Sequence, residues 1–388
     1  MLKLTRLLVV TILAGTSWPA AAQTRVATPI ELQSMLRTNT QGAVVSLCGI
    51  DPDSCPSIPM SQAFAGGKLI FSDSPESPTN AGILYMDTNL PPTVAGAANR
   101  VFVYHVNASF SETMRFSVLI RNNGKSAAAL RVRRTGIAGP SANYLHVGET
   151  AVYRWLTSAP CPARAVAPGQ TIRLDTHFDS IQIGHGGLAN GIWDYTFDQP
   201  HAIIICALHS NDVPDIVGPT LAVLARDIHD RGTFAYCDKL CAASARVIVD
   251  PAAGVRQFPI GGGSDVYVTG WDYAVFPPTA ATNDGNYGVL YTVKMNTASD
   301  DSRALALALL MSPQGGPWCG AVNAAPGLLA GGTFFIPSTG SAVSDPSSAT
   351  IEGEYFPGAP KEVWFQFMPA GASSFPVYVM TVPFSRDR

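Results

Sequence analysis

The chain has 388 residues, of which 47% are hydrophobic and only 14% charged, well under the usual charged share of about 25%. The formal net charge is −3 and no basic stripe is present, so nucleic acid is not an expected partner. Thirty prolines and 35 glycines leave little room for long helices or for a βαβ sheet. The surface must be covered by Ser, Thr, Asn, Gly and Pro.

The first residues have the three parts of a secretory signal: Lys3 and Arg6, the apolar stretch Leu7 to Ala14, and small residues Ala20 to Ala22 before Gln23. The apolar stretch is too short to span a bilayer, and no cysteine follows it as a lipid attachment point. Residues 1–22 therefore read as a signal peptide, and the expected location is secreted or periplasmic. Loss of Lys3 and Arg6 would take the formal charge from −3 to −5. No later apolar run reaches the 18 or so residues of a membrane helix, so no membrane span is expected in the mature chain. Its 366 residues suggest two domains.

Residues 23–59 read as an N-terminal segment. In it Cys48 and Cys55 flank the loop GIDPDS, a candidate local disulfide in an oxidising compartment. A first β-sandwich domain is expected over 60–210. Arg100 to Val106, Met114 to Arg121 and Ala128 to Arg134 have the β-branched and aromatic content of strands, with a turn at Asn122-Asn123-Gly124-Lys125. Asp175, His177 and Asp179 lie in the run IRLDTHFDS. On a strand they would project to one side, and with His185 of the following GHGG loop they form a candidate metal set. Trp193 and Tyr195 stand in a Trp-Asp-Tyr triplet that could stack on sugar rings or fill a core. Cys206, inside the apolar run Ala202 to Leu208, is expected to be a buried free thiol.

Residues 211–245 read as a helical linker. Pro219 to Arg231 places Leu221, Leu224 and Ile228 on one helical face, with Gly232 as a stop. Cys237 and Cys241 form a second disulfide candidate if a loop or helix end lies there. An odd total of seven cysteines leaves at least one unpaired. A second sandwich is expected over 246–388. It holds another Trp-Asp-Tyr triplet, Trp271 and Tyr273, and a glycine turn at Gly261 to Ser264.

The two halves share an order of features. Met114 to Pro140 parallels Tyr287 to Pro317, a Pro-Gly turn precedes a strand at Val166 and again at Tyr355, and each half closes on an apolar strand. The expected fold is all-β: two tandem immunoglobulin-like sandwiches with a short connecting helix, arisen by duplication.

The stretches GILYMDTNLPP, RVFVYHVN, FSVLIRNNGKSAAALRV, VAPGQ, NYGVLYTVKMN and PVYVMTVP carry a resemblance to a family of exported bacterial proteins, mainly cyanobacterial, catalogued as a domain of unknown function (number 3370). The resemblance spans roughly residues 60 to 385 and implies export. It brings no activity and no catalytic residues.

No HExxH, GxSxG, phosphate loop or dinucleotide fingerprint is present, and no cofactor is expected. The sequence thus points to a non-enzymatic cell-envelope protein that binds an envelope protein or polysaccharide or serves a structural role. The alternatives are an accessory protein of exopolysaccharide or biofilm production using Trp193, Tyr195, Trp271 and Tyr273, and a metal-dependent hydrolase using Asp175, His177, Asp179 and His185.

Overall fold

A computed structural model describes residues 25–243, 248–262, 265–297, 305–327, 329–355 and 361–385. The expected signal peptide, the Ser299 to Asp301 turn, Gly263-Ser264 and Phe356 to Gly358 lie outside the described residues. The chain begins with α1 (Ile30–Thr38), β1 (Val44–Ser46) and β2 (Met60–Ala65). Then come β3 (Leu69–Ser72), β4 (Gly82–Leu90), β5 (Asn99–Val106), β6 (Met114–Asn122) and β7 (Ala128–Ser141). After α2 (Tyr144–Thr157) follow β8 (Arg164–Val166), β9 (Thr171–Arg173), α3 (Thr176–Ser180), β10 (Leu188–Phe197) and β11 (His201–His209). A short α4 (Pro214–Val217) leads to β12 (Arg231–Phe234), β13 (Asp238–Ala243), β14 (Ile248–Val249), β15 (Arg256–Ile260), β16 (Thr269–Asp272) and β17 (Thr279–Thr282). The rest is β18 (Leu290–Thr297), β19 (Leu305–Pro313), β20 (Gly320–Ala324), β21 (Gly332–Ile336), β22 (Ser348–Tyr355), β23 (Lys361–Phe367) and β24 (Val377–Ser385).

The fold is all-β, with four sheets among the described residues. In the first half a sheet ordered β4-β11-β6-β9 faces one containing β3-β5-β10-β7-β8; in the second, β15-β24-β19-β22 faces β13-β18-β23-β20-β21. These two sets of nine strands correspond one to one in chain order. The match extends to strand direction: β3 runs parallel to β5 and β13 parallel to β18, while the other equivalent pairs are antiparallel. Strands β4 to β11 alternate between sheets except at β7 and β8, which are neighbours in one sheet; this is jelly-roll order and corrects the immunoglobulin-like expectation of ABED and CFG sheets. The correspondence also moves the sequence pairing by one strand. β18 and β19 match β5 and β6, where the sequence pairing had set them against β6 and β7; β11 and β24 correspond as expected. The Pro-Gly pairs at Pro168 and Pro357 likewise precede β9 and β23 in the sequence, and those strands are not equivalent.

The halves exchange strands. β2 pairs with β13 and β12 with β3, both antiparallel. Met60 opposes Ala243 at one end and Ser72 opposes Arg231 at the other, with the same register throughout. β2–β3 and β12–β13 thus form a single two-stranded ribbon that passes from one sandwich to the other. The segments ahead of it exchange too: Ser57 bridges Gln257 of β15 and Val223 bridges Ile83 of β4. The hairpin β16–β17 adds to β12 at the edge of the first half's sheet, and β1 adds to β22 of the second. The expected partition at 60–210 and 246–388 therefore cuts through shared sheets.

Alternation along the strands builds the cores. In β19, Leu307, Leu309 and Met311 face the core inside the second sandwich, while Ala306, Ala308 and Leu310 face a separate core closed by Leu32 and Leu36 of α1. In β5, Val101 and Val103 face the first sandwich's core; Phe102, Tyr104 and Val106 lie on the opposite face under α2. Helix α2 starts at Asn143, whose side chain caps the His146 N–H, and buries Val147, Ala151, Val152 and Trp155. It lies so close to β7 that a Cβ at Gly136 would stand 2.1 Å from the Ala151 carbonyl oxygen.

The expected helix over Pro219 to Arg231 does not form. Ile83 N–H donates to the Ala222 carbonyl and Leu224 N–H to the Ile83 carbonyl, so the backbone is spent on the edge of β4. Leu221, Val223 and Leu224 pack on the adjoining cores in that extended form. Among the described residues no helix is long and apolar enough to cross a membrane.

All seven cysteines are free in this structure. Cys241 lies in β13 and Cys237 just before it, so four steps along extended backbone separate their Cα atoms by about 13 Å. That exceeds the roughly 7 Å limit between bridged Cα atoms and corrects that disulfide expectation. Cys48 and Cys55 direct their thiols to the carbonyls of Ser46 and Asp51 (3.6 and 3.5 Å) instead of to each other. Cys206 is a fully buried free thiol.

Candidate functional site

The expected metal set is not brought together. Asp175 caps α3: its Oδ1 accepts the N–H groups of His177 and Phe178, and its Oδ2 accepts Trp193 Nε1–H at 3.1 Å. The stretch is therefore helical where strand alternation was expected, and His177 points to solvent. Asp179 is buried beside Ser117 and Arg173, and burial pushes its carboxyl up to about 7. His185 stacks on Phe110 with ring centroids 3.9 Å apart. No group of three His, Cys, Asp or Glu among the described residues is placed to hold a metal ion.

The two Trp-Asp-Tyr triplets have opposite fates. Trp193 and Tyr195 are fully buried. Trp193 packs edge-on against Phe178, and the Tyr195 hydroxyl meets His201 Nε2 at 2.9 Å. They are core residues, which removes them from a sugar surface. Trp271 is 50% exposed and Tyr273 41% exposed, and Phe276, in the same hairpin, is 98% exposed. All three sit on β16 or the turn to β17. Between the equivalent strands of the first half, β4 and β5, residues 91–98 form no strand. The aromatic hairpin is thus an addition to the repeated unit and is not needed to complete it.

Beneath the hairpin the backbone is held firmly. Trp271 opposes Thr233 of β12, whose hydroxyl meets Tyr85 at 2.8 Å and donates to Asp87 at 2.8 Å. The next residue, Asp272, is buried and accepts Arg231 Nε–H at 2.9 Å. Three exposed rings on a fixed edge can stack on flat apolar faces, such as those of sugar rings.

A second feature escaped sequence reasoning. A cleft of about 240 Å³ lies where the halves meet, lined by Phe71, Phe102, Tyr104, Tyr144 and Tyr287 together with Asp73, Glu76 and His229. Its residues come from stretches far apart in the chain. Their local signal is only the acidic runs around Asp73 and Asp227.

No family model matches the chain, and no curated protein matches it. Similar solved structures include the formate complex of Lactobacillus farciminis oxalate decarboxylase, at 9% identity over 83% of this chain and 89% of that one, with a TM-score of 0.13. Tomato vicilin shows 9% identity over 72% and 73%, with a TM-score of 0.12. At such scores the likeness decides neither fold nor function.

Proposed function

We propose that this chain is an exported, non-catalytic cell-envelope protein that binds polysaccharide through the β16–β17 hairpin. The carrying observation is the group of exposed aromatics, Trp271, Tyr273 and Phe276, on a hairpin that the other half lacks. Large exposed rings on a rigid edge are costly to leave wet and mark a contact surface. The low charge of the chain and the signal-like N-terminus support an envelope setting, as does the resemblance to the exported family of unknown function.

The test is binding of the folded mature chain to isolated envelope polysaccharides, by pull-down or glycan array. The wild type should bind, and Trp271→Ala with Tyr273→Ala should bind at least about tenfold more weakly, the scale of one to two lost stacking contacts. Absence of binding to every envelope polysaccharide, or equal binding by the double variant, would overturn the proposal.

A further inference from the structure

We propose that the cleft between the two halves binds a small organic ammonium ion, of about the size of choline. This site is separate from the aromatic hairpin and does not depend on the polysaccharide reading. Five rings line it: Phe71 from β3, Phe102 and Tyr104 from β5, Tyr144 from the start of α2, and Tyr287 ahead of β18. The faces of aromatic rings attract cations, and cages of them are the usual seat of quaternary ammonium groups. Two of the phenols are already committed, Tyr287 to the Ser373 carbonyl at 2.6 Å and Tyr144 to the Gly186 carbonyl at 3.2 Å. These bonds fix the rings and direct their hydroxyls to the protein.

The charge of the cleft is one-sided. Asp73 and Glu76 line it, with Asp227 and Asp230 behind them. Among the described residues His229 is the one lining side chain able to carry positive charge, and both its nitrogens are held by carboxylates: Nε2 by Glu76 at 2.9 Å and Nδ1 by Asp227 at 3.1 Å. Asp230 is paired with Arg226 at 2.7 Å. Asp73 Oδ1, by contrast, is shut off from solvent and has no hydrogen-bond partner among the described residues. A buried carboxylate oxygen without a partner is costly, and a positive charge held among the rings would offset part of that cost by charge attraction, with no hydrogen bond required. Burial and the neighbouring carboxylates of Glu76, Asp227 and Asp230 hold Asp73 well above the usual carboxylate range, as expected of an acid whose counter-ion is missing. The volume of about 240 Å³ equals roughly eight waters, which suits a ligand with about that many non-hydrogen atoms.

The test is calorimetric titration of the mature chain with choline chloride and, separately, with 3,3-dimethylbutan-1-ol, its uncharged isostere. Choline should saturate a single site, and the isostere should bind at least tenfold more weakly. Asp73→Asn should weaken choline binding at least tenfold while leaving polysaccharide binding unchanged. Co-sedimentation with phosphatidylcholine vesicles that free choline competes away would assign the ammonium group to a lipid headgroup; its absence would assign it to a free solute. No saturable choline binding, equal binding of the isostere, or unchanged binding by Asp73→Asn would each overturn the proposal. The isostere comparison uses the wild type alone, so it stands even if the variant fails to fold.

Discussion

Arg100 and Asp194 oppose each other on the neighbouring strands β5 and β10 and are joined by two hydrogen bonds, Nε to Oδ1 at 2.7 Å and a terminal nitrogen to Oδ2 at 3.1 Å. The same guanidinium donates to the carbonyls of Cys237 and Gly288 and to Asp238, and lies 4.4 Å over the Trp155 ring. One buried side chain thus ties the first half to the crossing ribbon, to the approach to β18 and to α2. Arg100→Met would strand Asp194 and Asp238, and a loss of about 3–5 kcal/mol is expected, the usual cost of removing one partner of a buried pair. Arg100→Lys keeps the charge but not the fork and should recover only part of it. Urea unfolding of the three proteins checks this; equal midpoints would show that the tie contributes nothing.

The exchanged strands predict how the molecule can be cut. Residues 60–210 alone would keep β2 without its partner β13 and leave the edge of β3 without β12, exposing two unpaired edges. That fragment should aggregate or remain unfolded. A chain cleaved once in the loop after β11, near Asn211, should instead stay together, since the ribbon from Met60 to Ser72 pairs across the cut with Arg231 to Ala243. Size-exclusion chromatography of the nicked protein should give one species of full mass. Two separate folded species would contradict the exchange.

Much of this architecture is local and was legible. Strands such as Met114–Asn122 and His201–His209 stand out because apolar, β-branched residues fill them. The helix over Tyr144–Thr157 was not expected: a capping Asn143 and buried Val147, Ala151 and Trp155 four residues apart carry its signal, but Gly148 and the surrounding strands obscure it. Partner choice was not legible. Neither β2 (MSQAFA) nor β12 (RGTF) carries a clear apolar alternation, and nothing in either strand says that it pairs with the other half. The same limit hid the cleft, since Phe71, Tyr144 and Tyr287 meet only because of that pairing. Pro219 to Arg231 misled because its helical spacing is real, yet the open edge of β4 captures its backbone.

The two tryptophans of the repeated triplet should separate stability from binding. Trp193 is fully buried and bonded to Asp175, so Trp193→Ala should cost about 3–5 kcal/mol. Trp271 is half exposed, so Trp271→Ala should cost about 1 kcal/mol or less while weakening polysaccharide binding. Thermal melts beside binding curves decide this; a large stability loss at Trp271 would make it a packing residue.

Glu352 gives the pH dependence of stability a definite sign. It is fully buried on β22; Oε1 accepts the Thr350 hydroxyl at 2.8 Å, and Oε2 has no partner among the described residues. Burial raises its carboxyl from 4.5 to about 8. Between those values the folded chain holds a proton that the unfolded chain has lost, so this contribution is complete below about 4.5 and disappears as pH rises through 8. Glutamine carries no such proton, so Glu352→Gln should match the wild type near pH 4.5 and gain on it steadily up to pH 8. The gain should reach several kcal/mol, on the scale of about 1.4 kcal/mol for each pH unit between the two pKa values. His105 and His201, held down to about 4 by burial, act in the opposite direction below 6.5. Asp179, pushed up to about 7, titrates in the same range in both proteins, so the difference between variant and wild-type denaturation midpoints at pH 6.5, 7.25 and 8 isolates the Glu352 carboxyl. A constant difference between variant and wild type across that range would mean that Glu352 is already ionised in the folded protein.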